Sequence, residues 1–434
     1  MDKMADVLGR AGAWCGQNKY LSAIKNAFQN FMPLTIAGAI GVLWCNVLVN
    51  ESTGLGIFFK PIMALEFLNP AFQAVNFCTI SCITVGITLG IAQEIGIWNM
   101  GAEKAGYIPG LVGLAAWLSV TNTSHMVEGA KDAFTGIAGN ELGATGLFTG
   151  MIIGVLSVEL FCFFEKQDAL KIKMPEQVPP GVARAFEVLV PATITLIITA
   201  CIGSACYNLT GLYLNDVIKN GIQGPLGAVG ATIPGVMIIY LVIMLFWLVG
   251  IHGNNMLSAV KEALFTPLAL ENVEKFNKGE KPTNIINMYA LQMWGEFGGS
   301  GVTIGLVIAI MIFGKREDNK AIASLSLVPG LFNINETVTF GIPMVLNPIL
   351  GIPFVFACLV TILVGYVLTV IGFCPVACLT VPWTTPPIVF GFLATGANIM
   401  GAVTQAILIV VSTVIYVPFL IAYEKYQNKQ AAEA

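Results

Sequence analysis

Charge is what this sequence lacks. Of its 434 residues only 11% are Asp, Glu, Lys or Arg, against about 25% in an ordinary soluble domain. Such a chain cannot keep its surface in water, and 56% of it comes from the apolar set AVILMFWYC, with a mean hydropathy of +0.80. A soluble protein is excluded, and the composition is that of an integral membrane protein. The net charge of −4 is small and no block of five like charges occurs, so nucleic acid is not an expected partner. No G-x-x-x-x-G-K-[ST] is present to cradle ATP, and the absence of H-E-x-x-H and G-x-S-x-G removes two hydrolase classes. Energy for any transport must come from another polypeptide or from an ion gradient.

Cysteine is not scarce, since ten occur, but most lie inside apolar runs and read as small membrane-helix side chains. The pairs Cys78/Cys82 and Cys374/Cys378 have C-x3-C spacing, yet no histidine stands near either, and no metal or other cofactor is expected. The first 30 residues carry Lys3, Arg10, Lys19 and Lys25 without the apolar core of a cleaved signal peptide. They read as a basic amphipathic segment, residues 1–30, lying on the cytoplasmic face of the lipid bilayer.

Apolar runs able to span occur at about 31–49, 71–93, 106–120, 146–164 and 188–207, then at 233–250, 288–314, 349–372 and 402–422. Weaker stretches at 257–270 and 376–395 are interrupted by Pro267, Pro375, Pro382, Pro386 and Pro387. Irregular backbone at membrane depth is tolerated only where protein buries it or a wet cavity lies beside it, so re-entrant hairpins or broken helices are expected there. Gly295, Gly298, Gly299 and Gly301 predict a further break between 282 and 314. The fold class is thus an all-α integral membrane protein of about ten transmembrane helices, with re-entrant hairpins in the C-terminal half. The basic loop with Lys166, Lys171, Lys173 and Arg184 places 165–187, like the N-terminus, in the cytoplasm. Lys261, Lys275, Lys278 and Lys281, followed by Lys315, Arg316 and Lys320, are also counted as loop charges. A regular scaffold at 31–227 and an irregular substrate-holding part at 228–434 complete the expected organisation.

Three segments put polar side chains and helix breakers into apolar surroundings: Gly250-Ile-His-Gly-Asn-Asn255, Phe332-Asn-Ile-Asn-Glu-Thr-Val-Thr-Phe-Gly341 and Val381-Pro-Trp-Thr-Thr-Pro-Pro387. An ionisable side chain in a membrane costs about 2.5–3.5 kcal/mol on insertion scales, so each needs a partner or a task. His252 is one of only two histidines, lies between Gly250 and Gly253, and is followed by Asn254 and Asn255. The bland reading is a capped helix end. Glu336 follows Asn333 and Asn335, and no basic residue occurs between Lys320 and Lys425 to pair with it locally. Clustered carboxylate and amide groups suit sugar hydroxyls better than a bare cation. Glu296 is a second carboxylate of this kind, whereas Glu159 is expected to reach for the membrane edge. Trp383 with Thr384 offers a flat face beside a hydroxyl for a pyranose ring, although tryptophan is also common in interfacial belts.

These ordered motifs carry a resemblance. Gly-Ile-His-Gly-Asn-Asn at 250–255, Asn-Ile-Asn-Glu at 333–336 followed by Phe-Gly-Ile-Pro-Met-Val-Leu-Asn-Pro at 340–348, and Pro-Trp-Thr-Thr-Pro-Pro at 382–387 resemble enzyme IIC of the bacterial phosphotransferase system, lactose/cellobiose branch, most closely its diacetylchitobiose-specific members. The likeness covers essentially the whole chain, and Asn-Ile-Asn-Glu is its most specific part. Family members usually carry Pro after the Glu, where this chain has Thr337. The resemblance implies a homodimer formed through the N-terminal half, a β-linked disaccharide held by the C-terminal half, and phosphorylation of its 6-hydroxyl by a phosphocysteine on a separate IIB protein. It makes Glu336 and His252 the groups at the 6-hydroxyl, with Asn335, Asn333, Asn254, Asn255, Trp383, Thr384 and Glu296 around the sugar. The last apolar run ends at Ala422, so no fused IIB or IIA domain is expected.

Two other readings remain open on the residues alone. In a proton-coupled sugar symporter Glu336 and His252 would carry the proton, and unmodified sugar would accumulate without IIB. A membrane-embedded acyltransferase would use His252 as base and turn over an acyl donor by itself.

Overall fold

The computed structural model describes residues 10, 14, 17–51, 56, 59–125, 134–175, 177–225, 230–342, 344, 345 and 347–433, and for Asn140 the backbone alone. The protein is an all-helical membrane protein. Among the described residues six helices are long and apolar enough to cross a membrane, or seven if the bent pair 288–302 and 304–313 is one span, with shorter apolar helices at Ile108–Val120 and Ile233–Leu248. The only strands among them are two-residue pieces, Ser124–His125 paired antiparallel with Phe134–Thr135.

Two compact units divide the chain. One comprises 17–38 and 74–228. In its Ile83–Met100 helix, Ile83, Ile87, Ile91 and Ile95 recur every fourth residue and are all buried, the spacing that puts side chains on one helix face. Lipid tails are as apolar as isoleucine, so close packing must hold membrane helices together. Gly150 and Gly154 of the Ala144–Glu165 helix supply it by lying directly against Thr84 and Thr88. Trp117, Ala116, Val120 and Ile153 form a second packed cluster. Glu159 pairs with Lys19 at 2.6 Å, and Glu165 accepts both Lys104 at 2.9 Å and Arg184 at 3.0 Å.

The other unit contains 39–73 and 229–434. The sequence assigns 31–227 to one scaffold, whereas 39–73 group in this unit and 17–38 in the other. Trp44 stacks on Phe72 at 4.3 Å, and Asn46 donates to Asn277 at 3.1 Å. The separate amphipathic segment expected at 1–30 falls partly outside the described residues; from Lys19 the chain is one helix to Leu43.

The break expected between 282 and 314 is present: the Met288–Gly295 helix ends, residues 296–303 turn with a short 3-10 piece at Ser300–Val302, and the Ile304–Phe313 helix leaves at 59° to what precedes it. The 376–395 stretch is also irregular, and its first helix starts at Val389. The 257–270 stretch is different. It belongs to one helix, Ser258–Asn277, with Pro267 inside. Its polar residues mark buried partners rather than chain breaks: Asn272, fully buried, donates to the carbonyls of Asn284 and Ala377 and accepts from the amides of Thr283 and Asn284. Lys261, counted above as a loop charge, is likewise buried within this helix.

Candidate functional site

The Ile233–Leu248 helix, apolar along its whole length, stops at a Gly250 with φ of 81°. His252 then caps the short Gly253–Met256 helix, its Nδ1 accepting from the Asn255 amide at 3.2 Å. That bond leaves Nδ1 unprotonated, so the neutral ring carries its proton on Nε2. The ring also rests on Trp247, with centroids 4.5 Å apart. Nε2 lies 3.8 Å from Glu336 Oε1, and the two side chains are 37% and 47% exposed. Glu336 opens the Glu336–Gly341 helix, where a carboxylate is favoured by the helix dipole.

The glycine-rich turn 296–303 reaches both segments. Asn254 Nδ2 bonds Ser300 Oγ at 3.1 Å, and Asn335 Nδ2 donates to the Ser300 carbonyl at 3.0 Å. Gly299 makes the approach possible: its φ is 85°, and a Cβ there would stand 2.7 Å from Asn335 Cβ. Asn333, at φ 63°, accepts from the Gly298 amide at 2.7 Å and donates to the carbonyls of Trp383 at 2.5 Å and Thr385 at 3.1 Å. Its amide is therefore committed to joining the turn to the 381–387 segment. Asn335 is buried and committed in the same way, whereas Asn254 Oδ1 is buried with no partner among the described residues.

Glu296 sits in a different environment from Glu336. Its Oε1 accepts from the Tyr240 hydroxyl at 2.7 Å and forms an ion pair with Lys261. Both charged side chains are sheltered, 7% exposed for Lys261 and 16% for Glu296. Trp383 by contrast is 45% exposed, with Thr384 half-buried next to it and Asn255 at the surface. The segment that carries Trp383 is tied at its far end by Gln405, whose Oε1 accepts from the amides of Ile388 at 2.7 Å and Gly391 at 2.8 Å while Nε2 donates to the Met293 carbonyl.

The family model for the phosphotransferase system EIIC matches residues 25–358. The chain belongs to the EIIC family. This EIIC is 34% identical over 429 residues to the oligo-beta-mannoside-specific EIIC component of Bacillus subtilis (strain 168), covering 98% of this chain and 94% of that one. It is 29% identical to the cellobiose-specific EIIC component of Lactococcus lactis subsp. lactis (strain IL1403), covering 98% of each. Among solved structures it matches the transporter ChbC, the IIC component from the N,N'-diacetylchitobiose-specific phosphotransferase system, with a TM-score of 0.88 and 29% identity over 97% of both chains. It is a phosphotransferase-system sugar permease of the lactose/cellobiose family, a multi-pass membrane protein that works with IIB and a sugar substrate.

In this EIIC the structure brings His252, Asn254, Asn335 and Glu336 together around the turn at 296–303, and links Trp383 to the same turn through Asn333. Glu296 belongs to an internal ion pair instead of facing outward beside them. The sequence does not mark Tyr240, Ser300 or Gln405 as partners of these segments, and it puts Lys261 among loop charges. Ser300 lay inside a run noticed only for its glycines, and Gln405 inside a run read as an ordinary span. Lys261 was the one with a visible signal, since Ser258-Ala-Val-Lys-Glu-Ala-Leu-Phe has helical rather than loop character.

Proposed function

We propose that this EIIC carries a β-linked disaccharide, diacetylchitobiose or cellobiose, inward and presents its 6-hydroxyl, between Glu336 and His252, to a phosphocysteine on a separate IIB protein. The observation that carries the reading is the facing of Glu336 Oε1 and His252 Nε2 across 3.8 Å on exposed side chains. One hydroxyl oxygen fits within hydrogen-bond distance of both, about 2.8 Å from each. It would accept from the Nε2 proton and donate to the carboxylate. Its oxygen attacks phosphorus as the S–P bond breaks, the thiolate leaves with IIB, and the hydroxyl proton passes to Glu336. The Nε2–H stays in place against the negative charge that develops on the oxygen. Phosphoryl transfer asks mainly for positioning and charge stabilisation, and a positioned base contributes about 100-fold or more.

The substrate class rests on the resemblance to relatives named for cellobiose and diacetylchitobiose, together with the exposed face of Trp383. The reading further takes the protein as a homodimer formed through residues 31–227, with its N-terminus and the 165–187 loop in the cytoplasm.

The experiment is Glu336→Gln in membrane vesicles supplied with phosphorylated IIB. Sugar binding should weaken, and phosphorylation of labelled diacetylchitobiose or cellobiose should fall at least about 100-fold. Wild-type phosphorylation by this variant would refute the assigned role. Accumulation of unmodified sugar driven by a pH gradient, without IIB, would replace the whole reading with a symporter.

A further inference from the structure

His252 and Glu336 are held on separate pieces of chain, the Gly253–Met256 cap and the Glu336–Gly341 helix, and no direct hydrogen bond fixes their separation of 3.8 Å. One residue touches the immediate neighbourhood of both. Ser300 is buried, 3% exposed; its Oγ bonds Asn254 Nδ2, two residues beyond His252, and its carbonyl accepts from Asn335 Nδ2, the residue before Glu336. The turn that holds Ser300 is itself held both from within and by neighbouring helices. The Tyr416 hydroxyl donates to the Gly301 carbonyl at 2.7 Å, the Thr303 hydroxyl to the Gly298 carbonyl at 2.6 Å, and Glu296 is gripped by Lys261 and Tyr240. Ser300 is thus a fixed point between the segment that carries the imidazole and the segment that carries the carboxylate.

We infer that Ser300 is the positioning residue of the sugar site, setting the distance between the imidazole and the carboxylate that take hold of the 6-hydroxyl. It touches neither reacting group and acts through Asn254 and Asn335. Effective alignment of reacting atoms is lost over shifts of about 1 Å, so a single bond at this point governs turnover more than it governs affinity. Ground-state sugar binding is spread over several groups, whereas in-line attack depends on this one spacing. The inference rests on the proposed role of Glu336 and His252.

The test compares Ser300→Ala, Asn254→Ala and the double variant with wild type. Each is measured for sugar affinity without IIB and for phosphorylation turnover per sugar-binding molecule with phosphorylated IIB. Ser300→Ala keeps the backbone carbonyl that Asn335 uses and removes only the hydroxyl. Turnover should fall about tenfold, equivalent to ~1.4 kcal/mol, while affinity changes less than about threefold. The Ser300→Ala change should have no further effect on turnover in the Asn254→Ala background, because both remove the same bond. Because turnover is counted per binding-competent molecule, a variant that merely folds poorly does not mimic this result. Equal losses in affinity and turnover, unchanged turnover, or additive losses in the double variant would overturn the inference. Should Glu336→Gln phosphorylate normally, the proposed function fails. With Glu336→Gln inactive and Ser300→Ala at wild-type turnover, only the positioning role fails.

Discussion

Replacing Lys261 with Met should destabilise this EIIC severely, and replacing its partner at the same time should undo most of the damage. Lys261 Nζ and the Tyr240 hydroxyl both bond Glu296 Oε1, in a setting where the lysine side chain is 7% exposed, the glutamate 16%, and Tyr240 fully buried. Solvent screening therefore offers little relief once one charge is removed. Lys261→Met has nearly the volume of the lysine stem but leaves a buried carboxylate with one hydroxyl donor. Breaking a buried pair in this way costs about 3–5 kcal/mol, a large part of a total stability of about 5–15 kcal/mol. At roughly 2–4 °C per kcal/mol for a unit of this size, thermal unfolding of the detergent-solubilised protein, followed by tryptophan fluorescence, should move down by about 10 °C. The double variant Lys261→Met/Glu296→Gln buries no charge and keeps an acceptor for Tyr240, so it should recover to within a few degrees of wild type. A single variant as stable as wild type, or a double variant no better than the single, would refute the argument that the pair is a buried, mutually dependent unit.

Two further outcomes concern the turn and its connections. Asn333→Asp keeps the acceptor for the Gly298 amide but loses both donations to the carbonyls of Trp383 and Thr385 and sets a negative charge against them. At about 1 kcal/mol per lost hydrogen bond, sugar affinity measured by direct binding should fall tenfold or more; unchanged affinity would mean that Asn333 does not hold the Trp383 segment. Gly299→Ala places a methyl group 2.7 Å from Asn335 Cβ at a φ of 85°, and should cost about 1–3 kcal/mol in thermal unfolding. Wild-type stability of that variant would show that the turn yields freely.

How far the site could be read from the sequence depended on what kind of signal each residue gave. His252 and Glu336 stood out because ionisable groups are so rare in this chain, and glycine or asparagine beside them marked departures from plain helix. Glu296 carried the same signal. Its partner Lys261 lies 35 residues away in sequence, on a stretch whose proline suggests a break, so the ion pair leaves no trace in the sequence. The proline at 267 and the polar residues around it suggested interruption, yet the helix runs through them because Lys261 and Asn272 find their partners across the fold. Ser300 and Gln405 gave no signal, since a serine among glycines and a glutamine in an apolar run are ordinary until the backbone groups they serve are known.

Composition, apolar run length and the three polar motifs determined by themselves that this protein lives in a membrane, that its C-terminal half is irregular, and which few residues deserve chemistry. Those properties are local, or are sums over the chain. Tertiary structure alone decided which carboxylate faces a histidine and which a lysine, and that the asparagines at 333 and 335 serve the frame of the site. It also decided that one turn at 296–303 joins the segments carrying His252, Glu336 and Trp383. Hydrogen bonds and ion pairs between residues tens of positions apart have no period or spacing in the sequence; they exist only once folding has brought the partners within about 3 Å.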